Sequence, residues 1–293
     1  MPDYPVVTHE GVEVPWIELR LEAHLANTDE DIDRNIEHAL SLNCLKFQDS
    51  VGKSSGAVSI VGSGPSLKEN WKRIADVGGD IIACNAACQF LLERDIVPKY
   101  MFCFDADPLM LEFMTPHPEI TYLIASRCPP KTFEILDGCK VIMWHAAGDA
   151  NINAILERRG MMEPMVGGGS AAVTRAMVLS VAMGYDPVHL WGADSSFHNG
   201  DTHIRQSTTQ EKQMHIMCNN RDFHCAPWMA LQANDFKALA PSLKDMGVRL
   251  VVHGDGLIPH LAKTMGFDVD GEARFKQVWR EARQKARILW SQL

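Results

Sequence analysis

The sequence predicts an α/β protein with a Rossmann-like parallel sheet, helices on both faces of that sheet, and helical additions at the N- and C-terminal ends. From Ala57 onward, short runs that are apolar at every position alternate with helix-like segments. Strands that are apolar throughout are typical of a parallel sheet covered on both faces by crossover helices. A glycine-rich turn follows the first of these runs, as in α/β proteins that bind ligands at the carboxyl ends of their strands.

The elements of this core follow from hydrophobic periodicity. The predicted strands are Ala57–Val61, Asp80–Cys84, Tyr100–Phe104, Thr121–Ala125, Lys140–Trp144, Pro187–Trp191 and Arg249–Val252. The predicted helices between them are residues 67–77, 86–94, 131–137, 170–183 and 229–246. The apolar runs are too short and too sharply punctuated by turn residues for an all-helical protein.

A chain of 293 residues fits one large α/β core with terminal additions better than two equal domains. Residues 1–52 are predicted as an N-terminal helical extension, because apolar and acidic positions in 15–43 follow a helical period. Residues 53–262 are predicted as the Rossmann-like nucleotide-binding core. Residues 263–293 are predicted as a C-terminal amphipathic helix that packs on the core or on a second subunit, so a homo-oligomer is an open alternative.

The composition excludes some classes of partner. A formal net charge of −9 opposes a nucleic-acid-binding surface, which needs a basic field. The first residues lack the basic and apolar regions of a secretory signal, and no apolar stretch is long enough to span a bilayer. We therefore expect a cytoplasmic protein that has no nucleic-acid or membrane partner and acts on small molecules.

The eight cysteines are scattered and show no paired Cys-x-x-Cys spacing. Several lie inside apolar runs, so we interpret them mostly as buried thiols of a reducing compartment. A zinc site is the open alternative. Cys84 and Cys88 supply too few ligands for it by themselves.

The strongest local motif is the turn after the first core strand, Gly62-Ser63-Gly64-Pro65-Ser66. Its backbone N–H groups and the following helix N-terminus favour an anion, so we predict that it binds phosphate. Ser66 and Glu69 also fit a capping box. The alternative is a tight turn that only reverses the chain. Leu67 replaces the third glycine of the dinucleotide fingerprint, and no P-loop sequence is present.

Polar residues follow two further strands at their carboxyl ends. Asn85 is predicted to bind the base or ribose of a nucleotide with its amide. Asp105 and Asp107, one residue apart, are candidate ligands of Mg²⁺, a hard cation that prefers oxygen and bridges to phosphates. The alternative for this pair is a solvated loop start, where Pro108 ends the strand.

A second glycine-rich segment, Gly167-Gly168-Gly169-Ser170, precedes a long apolar helix and is a second candidate for phosphate binding. After the strand Pro187–Trp191, Asp194 is a candidate base or metal ligand and His203 a candidate proton carrier. The long polar segment up to about Pro227 suggests a functional loop or lid. Candidates to offset phosphate charge, each equally readable as surface residues, are Arg127, Arg205, Lys212 and Arg221.

Taken in order, these motifs resemble the MptE-like family. The resemblance rests on the Gly62–Ser66 turn, Asp105, Gly168-Gly169-Ser170, and Asp194 with Gly200-Asp201-Thr202-His203 behind it, and it runs from about Ala57 to His260. That family includes archaeal 6-hydroxymethyl-7,8-dihydropterin diphosphokinases and the core of motility accessory factors, which are taken to be glycosyltransferases.

A fainter similarity reaches bacterial sialyltransferases that use CMP-sugars, which share the turn and an asparagine like Asn85. Their catalytic histidine falls where this chain has Trp228 to Gln232, and His224 is displaced from that place. The sequence therefore departs from the sialyltransferase pattern.

The family resemblance implies a Rossmann-like transferase acting on a phosphate ester. In the first reading, Mg²⁺ near Asp105, with Asp194 as a further ligand, bridges ATP phosphates while diphosphate passes to a hydroxymethyl acceptor. In the second, the turn holds a CMP-type nucleotide that leaves a sugar, and His203 or Asp194 deprotonates the acceptor hydroxyl. A protein that binds nucleotide without turnover is the third alternative.

Overall fold

The computed structural model describes residues 6–9, 12–15, 27–198, 200–204 and 214–269. Ten of its strands form one sheet, and every pairing in that sheet is parallel. In chain order, all the described strands are β1 (Val6–His9), β2 (Val12–Pro15), β3 (Leu45–Lys46), β4 (Val58–Val61), β5 (Asp80–Cys84), β6 (Tyr100–Cys103), β7 (Thr121–Ala125), β8 (Lys140–Ala146), β9 (Met165–Val166), β10 (Val188–Trp191), β11 (Met214–Cys218), β12 (Arg221–Cys225), β13 (Leu250–Val252) and β14 (Asp268–Val269).

The helices connect the parallel strands as crossovers. They are α1 (Asp29–Ala39), α2 (Leu67–Asn70), α3 (Ile74–Val77), α4 (Ala86–Leu92), α5 (Pro130–Ile135), α6 (Ile152–Arg158), α7 (Ala172–Met183), α8 (Pro227–Asp245) and α9 (Leu257–Thr264). Every strand and helix predicted for the core has a counterpart here. The predicted helix over 67–77 is divided, because the 3-10 turn Trp71–Arg73 separates α2 from α3.

The strand order of the large sheet is β14-β13-β10-β4-β5-β6-β7-β8-β3, with β9 paired to β8. All residues of β4, β6 and β10 are buried, as expected for strands covered on both faces. Large aromatic side chains fill the layer between sheet and helices, and Phe102 stacks on Trp144 with ring centroids 4.9 Å apart. This core gives the strand ends a rigid support.

A second, antiparallel sheet has the order β12-β11-β1-β2. It corrects the prediction that the segment up to Pro227 is only a loop or lid, because β11 and β12 form a hairpin there. Asn219 and Asn220 make the two-residue turn with φ of 44° and 61°, the conformation that a tight hairpin needs. Burial alternates along β11 and from Asp222 to Cys225 in β12, so one face of the hairpin packs on the core and the other faces solvent.

The N-terminal region also differs from the predicted helical extension. Of its described residues, only α1 is an α-helix, whereas β1 and β2 belong to the antiparallel sheet and β3 extends the large sheet beyond β8. These segments form strands because their backbones pair with neighbouring strands, and the hydrophobic period of the sequence does not reveal such pairing. The predicted C-terminal helix lies almost entirely outside the described residues.

Burial bears out the interpretation of most of the cysteines. All eight are free thiols, and six of them are buried: Cys84, Cys88, Cys103, Cys128, Cys218 and Cys225. Within the described part of the chain, no set of three metal-ligating side chains includes a cysteine. Among the described helices, none combines the length and apolar character needed to cross a bilayer.

Candidate active site at the carboxyl edge of the sheet

The topology of the large sheet creates a switch point between β4 and β10. From β4 the chain moves outward through β5, β6, β7 and β8, and then returns over α7 to place β10 on the other side of β4. Loops at such a point leave the sheet in opposite directions and open a crevice at the carboxyl ends of the strands. The turn after β4 and the loop after β10 therefore face each other there.

The turn after β4 is held by a carboxylate of the opposite loop. The backbone N–H of Ser66 donates to Asp194 Oδ2 at 2.7 Å, and the Ser66 hydroxyl donates to Asp194 Oδ1 at 2.6 Å. The predicted capping box is wrong, because the Glu69 N–H donates to the main-chain carbonyl of Ser66 at 3.2 Å and no side chain caps α2. In this structure the Asp194 carboxylate occupies the donors of Ser66, and phosphate binding by the turn stays a prediction.

The glycines of this turn allow close packing of the two loops. The Gly64 N–H donates to the Gly192 carbonyl at 2.8 Å, and a Cβ on Gly64 would lie 2.6 Å from Asp194 Oδ2. Gly62, Pro65 and Ser66 are buried, whereas Ser63 and Gly64 are partly exposed. Among the described residues no hydrogen bond uses the Ser63 N–H. A ligand that approaches the turn therefore meets Ser63 and Gly64.

Asp194 is 1% exposed. Burial raises the pKa of its carboxyl to about 6, although the two hydrogen bonds from Ser66 oppose that shift. In this conformation the carboxyl anchors the loop after β10 to the turn after β4. Its role as a catalytic base or metal ligand stays a prediction.

His203 lies next to the same turn. The N–H of the following residue, Ile204, donates to the Ser63 carbonyl at 2.9 Å, which fixes this part of the loop against the turn. The imidazole stacks on Trp228 at 5.4 Å between ring centroids, and Lys68 pairs with Asp201 at 2.6 Å. The structure thus brings the predicted proton carrier and the predicted phosphate turn together across 140 residues of sequence.

The second glycine-rich segment repeats the arrangement of the first. Both the N–H and the hydroxyl of Ser170 donate to Asp235 Oδ2, each at 2.7 Å. Gly168 and Gly169 have φ of 119° and 80°, which favour glycine. A carboxylate from α8 therefore fills this candidate phosphate position as well, and phosphate binding by Gly168, Gly169 and Ser170 stays a prediction.

Asn85 directly follows β5 and has a positive φ of 48°, which asparagine adopts more readily than most residues. Its N–H donates to the Phe102 carbonyl at 3.2 Å. The side-chain oxygen Oδ1 is buried, with no hydrogen-bond partner among the described residues. An unpaired buried acceptor at a strand end is favourable for a ligand that brings a donor, such as a nucleotide base or ribose.

Farther along the same edge, two guanidinium groups contact Phe104. Arg127 lies 4.8 Å and Arg175 4.3 Å from the ring centroid. Arg127 is paired with Asp149 at 2.7 Å, and Arg175 donates to the Gly169 carbonyl at 2.7 Å. Sequence reasoning missed Arg175 and Asp149. A charged residue inside the apolar helix 170–183 was the available signal for Arg175.

Burial changes the protonation behaviour of these two groups. It lowers the pKa of Arg175 to about 10 and raises the pKa of the Asp149 carboxyl. Of the other basic candidates, Arg221 of the hairpin makes a bidentate pair with Asp255, whose neighbours Gly254 and Gly256 pack against Ser66 and Asp194. Arg205 and Lys212 lie outside the described residues.

Each of the two aspartates after β6 accepts a hydrogen bond from a nearby backbone N–H with one carboxylate oxygen. Asp105 Oδ1 accepts the Asp107 N–H at 3.1 Å, and Asp107 Oδ1 accepts the Leu109 N–H at 2.9 Å, so Asp107 caps the 3-10 turn that follows. In the described segments, no third carboxylate, histidine or cysteine completes a three-ligand site with them. Magnesium binding by Asp105 and Asp107 stays a prediction.

These features define an open, doubly wound α/β protein whose glycine-rich turns and polar loops gather at a switch point. The chain belongs to the MptE-like family: the family model described as 6-hydroxymethylpterin diphosphokinase MptE-like matches residues 30–200. This confirms the family resemblance of the sequence motifs. No curated protein matches the chain.

Solved structures of two transferases are similar to this chain at low sequence identity, and the first of them shares its fold. The MAf glycosyltransferase from Magnetospirillum magneticum AMB-1 is 14% identical over 80% of this chain, with a TM-score of 0.57. This chain covers 38% of that protein's length. A mammalian sialyltransferase in complex with Gal-beta-1-3GalNAc-ortho-nitrophenol is 16% identical over 82% of this chain and 84% of its own, with a TM-score of 0.40.

Proposed function

We propose that this chain is a transferase that binds a nucleotide-activated sugar of the CMP type at the switch point and transfers the sugar to an acceptor hydroxyl. The observation that carries the proposal is the hydrogen bond from Ile204 to the Ser63 carbonyl, because it holds His203 beside the exposed part of the turn. The family description names a diphosphokinase, and the solved structure with the same fold is a glycosyltransferase. Both are kinds of transferase, which supports this class of activity.

In this proposal the donor lies along the carboxyl edge from Ser63 to Asn85. The N–H of Ser63 and the Oδ1 of Asn85 have no hydrogen-bond partner among the residues that the structure describes. The Ser63 N–H binds the leaving phosphate, and the Asn85 Oδ1 accepts a hydrogen bond from the base or ribose. His203 accepts the proton of the acceptor hydroxyl as its oxygen attacks the anomeric carbon and the bond to the phosphate oxygen breaks. Asp194 keeps the turn in position by holding Ser66.

Diphosphoryl transfer from ATP to a hydroxymethyl acceptor is the second candidate. It is favoured by the family description and by Asp105, whose exposed carboxylate has one oxygen that accepts no bond from the described residues. Mg²⁺ is commonly bound by one or two carboxylates together with substrate phosphates, and Asp105 and Asp107 would hold it here. When bound, it would neutralise phosphate charge. We place this reaction second because Asp107 already caps a turn.

Calorimetric titration with CMP, ATP and GTP, each with and without Mg²⁺, distinguishes the candidates. Metal-independent CMP binding, with release of CMP from a CMP-sugar, is the expected result. Metal-dependent ATP binding with diphosphate transfer would favour the second candidate, diphosphoryl transfer, over sugar transfer. Binding without turnover of any donor would indicate a nucleotide sensor, and failure to bind all three nucleotides would contradict the proposal.

Two variants test the residues. Asn85→Gly removes the amide while tolerating the positive φ, and we expect CMP binding to weaken about 10-fold, the worth of one hydrogen bond to a buried group. Asn220→Gly, at the positive-φ hairpin turn, is the matched control and should bind normally. His203→Gln should leave CMP binding intact and reduce turnover by about 100-fold or more. Equal turnover would remove His203 from the mechanism.

A further inference from the structure

The solvent-facing side of the β11–β12 hairpin carries a cluster of metal-ligating side chains that the proposed reaction does not use. His215 and His224 are directly opposite each other in the antiparallel register, and Asp222 precedes His224 by two residues. Side chains two apart in a strand point to the same face. All three residues are exposed, whereas the alternate positions, such as Ile216 and Phe223, pack into the core.

The distances between their ligand atoms match those around one ion. His215 Nδ1 lies 3.0 Å from Asp222 Oδ2, and His224 Nε2 lies 3.6 Å from the same oxygen. Ligands at about 2.05 Å from a tetrahedral zinc ion are separated by about 3.3 Å. One nitrogen or oxygen from each side chain lies within 4.8 Å of the others, so small rotations of exposed side chains are sufficient to complete the set.

The surroundings favour a cation at this place. The neighbouring arginine, Arg221, is turned away and makes its bidentate pair with Asp255 at 2.6 and 2.8 Å. The two imidazoles are in contact, with ring centroids 4.1 Å apart and planes at 56°, so both rings lie beside the carboxylate. Two neutral imidazoles and one carboxylate form a donor set with a net charge of −1, which a divalent ion offsets.

We propose that His215, Asp222 and His224 form a binding site for a divalent transition metal ion of the zinc class. Imidazole nitrogen suits zinc, copper and nickel, whereas Mg²⁺ and Ca²⁺ prefer oxygen ligands. Three protein ligands leave a fourth position for water or for a ligand atom brought by another molecule. This site is separate from the magnesium predicted at Asp105 and Asp107 and does not depend on the proposed transferase activity.

The bound ion would join β11 to β12 and stabilise the hairpin. The hairpin is in turn connected to the loop that carries Asp194. The Phe197 N–H donates to the His224 carbonyl at 2.8 Å, and Cys225 Sγ donates to the Ser195 carbonyl at 3.4 Å. Metal binding therefore stabilises the segment that supports the switch-point loop.

Calorimetric titration of the full chain with Zn²⁺, after treatment with a chelator and its removal, tests the proposal. We expect one Zn²⁺ per chain, a rise in melting temperature, and no comparable binding of Mg²⁺. Replacement of any one ligand, as in His215→Ala, His224→Ala or Asp222→Asn, should weaken Zn²⁺ binding by at least about 10-fold. Even the loss of a residue that only hydrogen-bonds to a metal ligand commonly weakens metal binding by about 10-fold or more.

The controls separate this site from other ligands of the chain. Met217→Ala changes another exposed side chain of the same hairpin, and His117→Ala removes a histidine elsewhere, so both should bind Zn²⁺ normally. Titration with Co²⁺ should give visible bands without the thiolate charge-transfer absorption that cysteine ligands produce. A wild-type chain that binds no Zn²⁺, unchanged affinity in the ligand variants, or thiolate absorption would each overturn the proposal.

Discussion

The two glycine-rich helix starts of this protein contain the same pair of bonds in two different environments. In each, a serine N–H and a serine hydroxyl donate to one aspartate that is distant in sequence. The pair Ser66 and Asp194 is buried, whereas Ser170 is exposed and Asp235 partly exposed. One motif therefore serves as an internal anchor in one place and as a surface contact in the other.

The difference teaches that such a motif indicates a position where an anion is stable and does not identify the anion. Backbone N–H groups at a helix start attract any negative group. A carboxylate of the chain satisfies them as well as a phosphate does, and it removes them from a ligand. At the switch point, the N–H of Ser63, which precedes the bonded part of the turn, makes no hydrogen bond within the described part of the chain and can donate to a ligand.

The largest expected effect is the loss of the buried anchor. We expect Asp194→Ala to lower the free energy of unfolding by about 4 kcal/mol, because it leaves two buried donors of Ser66 unsatisfied and a cavity beside them. Asp235→Ala, the matched variant of the exposed pair, should lower it by about 1 kcal/mol, since water replaces the lost acceptor. Urea denaturation measures both. Equal losses of unfolding free energy in the two variants would contradict the distinction between a buried anchor and a surface contact.

The parts of this comparison that the sequence could predict are local. The fully apolar strands and the two glycine-rich segments follow from residue patterns within each segment, and the first turn follows β4 as predicted. The second segment follows β9, a two-residue strand that the sequence pattern does not predict. The partners of the turns were not predictable, because Asp194 is 128 residues from Ser66. The pattern of a single sequence contains no signal for such a contact.

The errors of sequence reasoning have a similar cause. The polar residues on the exposed face of the β11–β12 hairpin suggest a loop. The signals for a hairpin are the alternate apolar residues, such as Ile216 and Phe223, which are buried, and the Asn219-Asn220 turn. Ser66 fits a capping box by spacing, but its side chain is oriented by the hydrogen bond that its hydroxyl donates to the distant Asp194. In both cases the tertiary partner overrode the local pattern.

A methyl group on each turn should show an intermediate effect. In Gly64→Ala the new Cβ would lie 2.6 Å from both Asp194 Oδ2 and the Gly192 carbonyl, neither of which is free to move, so we expect a loss of about 2 kcal/mol in the free energy of unfolding. In Gly169→Ala the new Cβ would lie 2.6 Å from Asp235 Cβ, which rotation of that side chain does not move. The strain of φ 80° adds to this contact, so we expect a larger loss of about 3 kcal/mol. Thermal unfolding of both variants measures this order, and the reverse order would contradict it.

The smallest expected effect is a dependence of stability on pH that is specific to the buried pair. The pKa of Asp194 is about 6 in the folded protein, above the unfolded value of 3.8, so the folded chain binds more protons between these values. The stabilisation that the protonated carboxyl contributes is complete below the unfolded value and is lost as the pH rises through the folded one. Between about pH 7 and pH 5, wild type should therefore gain about 1 kcal/mol relative to Asp194→Asn.

The measurement has to be a difference between variants, because other buried groups titrate in the opposite sense. Burial lowers the pKa of His189 to about 4 and that of His253 to about 3, so their contribution to stability falls as the medium becomes acidic. Both histidines are present in wild type and in Asp194→Asn, and their contribution cancels in the difference. Denaturation curves for this pair, and for Asp235→Asn as the exposed counterpart, isolate the Asp194 carboxyl. A difference between wild type and Asp194→Asn that stays constant from pH 7 to pH 5 would contradict this prediction and show that Asp194 is ionised throughout this range and that Ser66 binds a permanent charge.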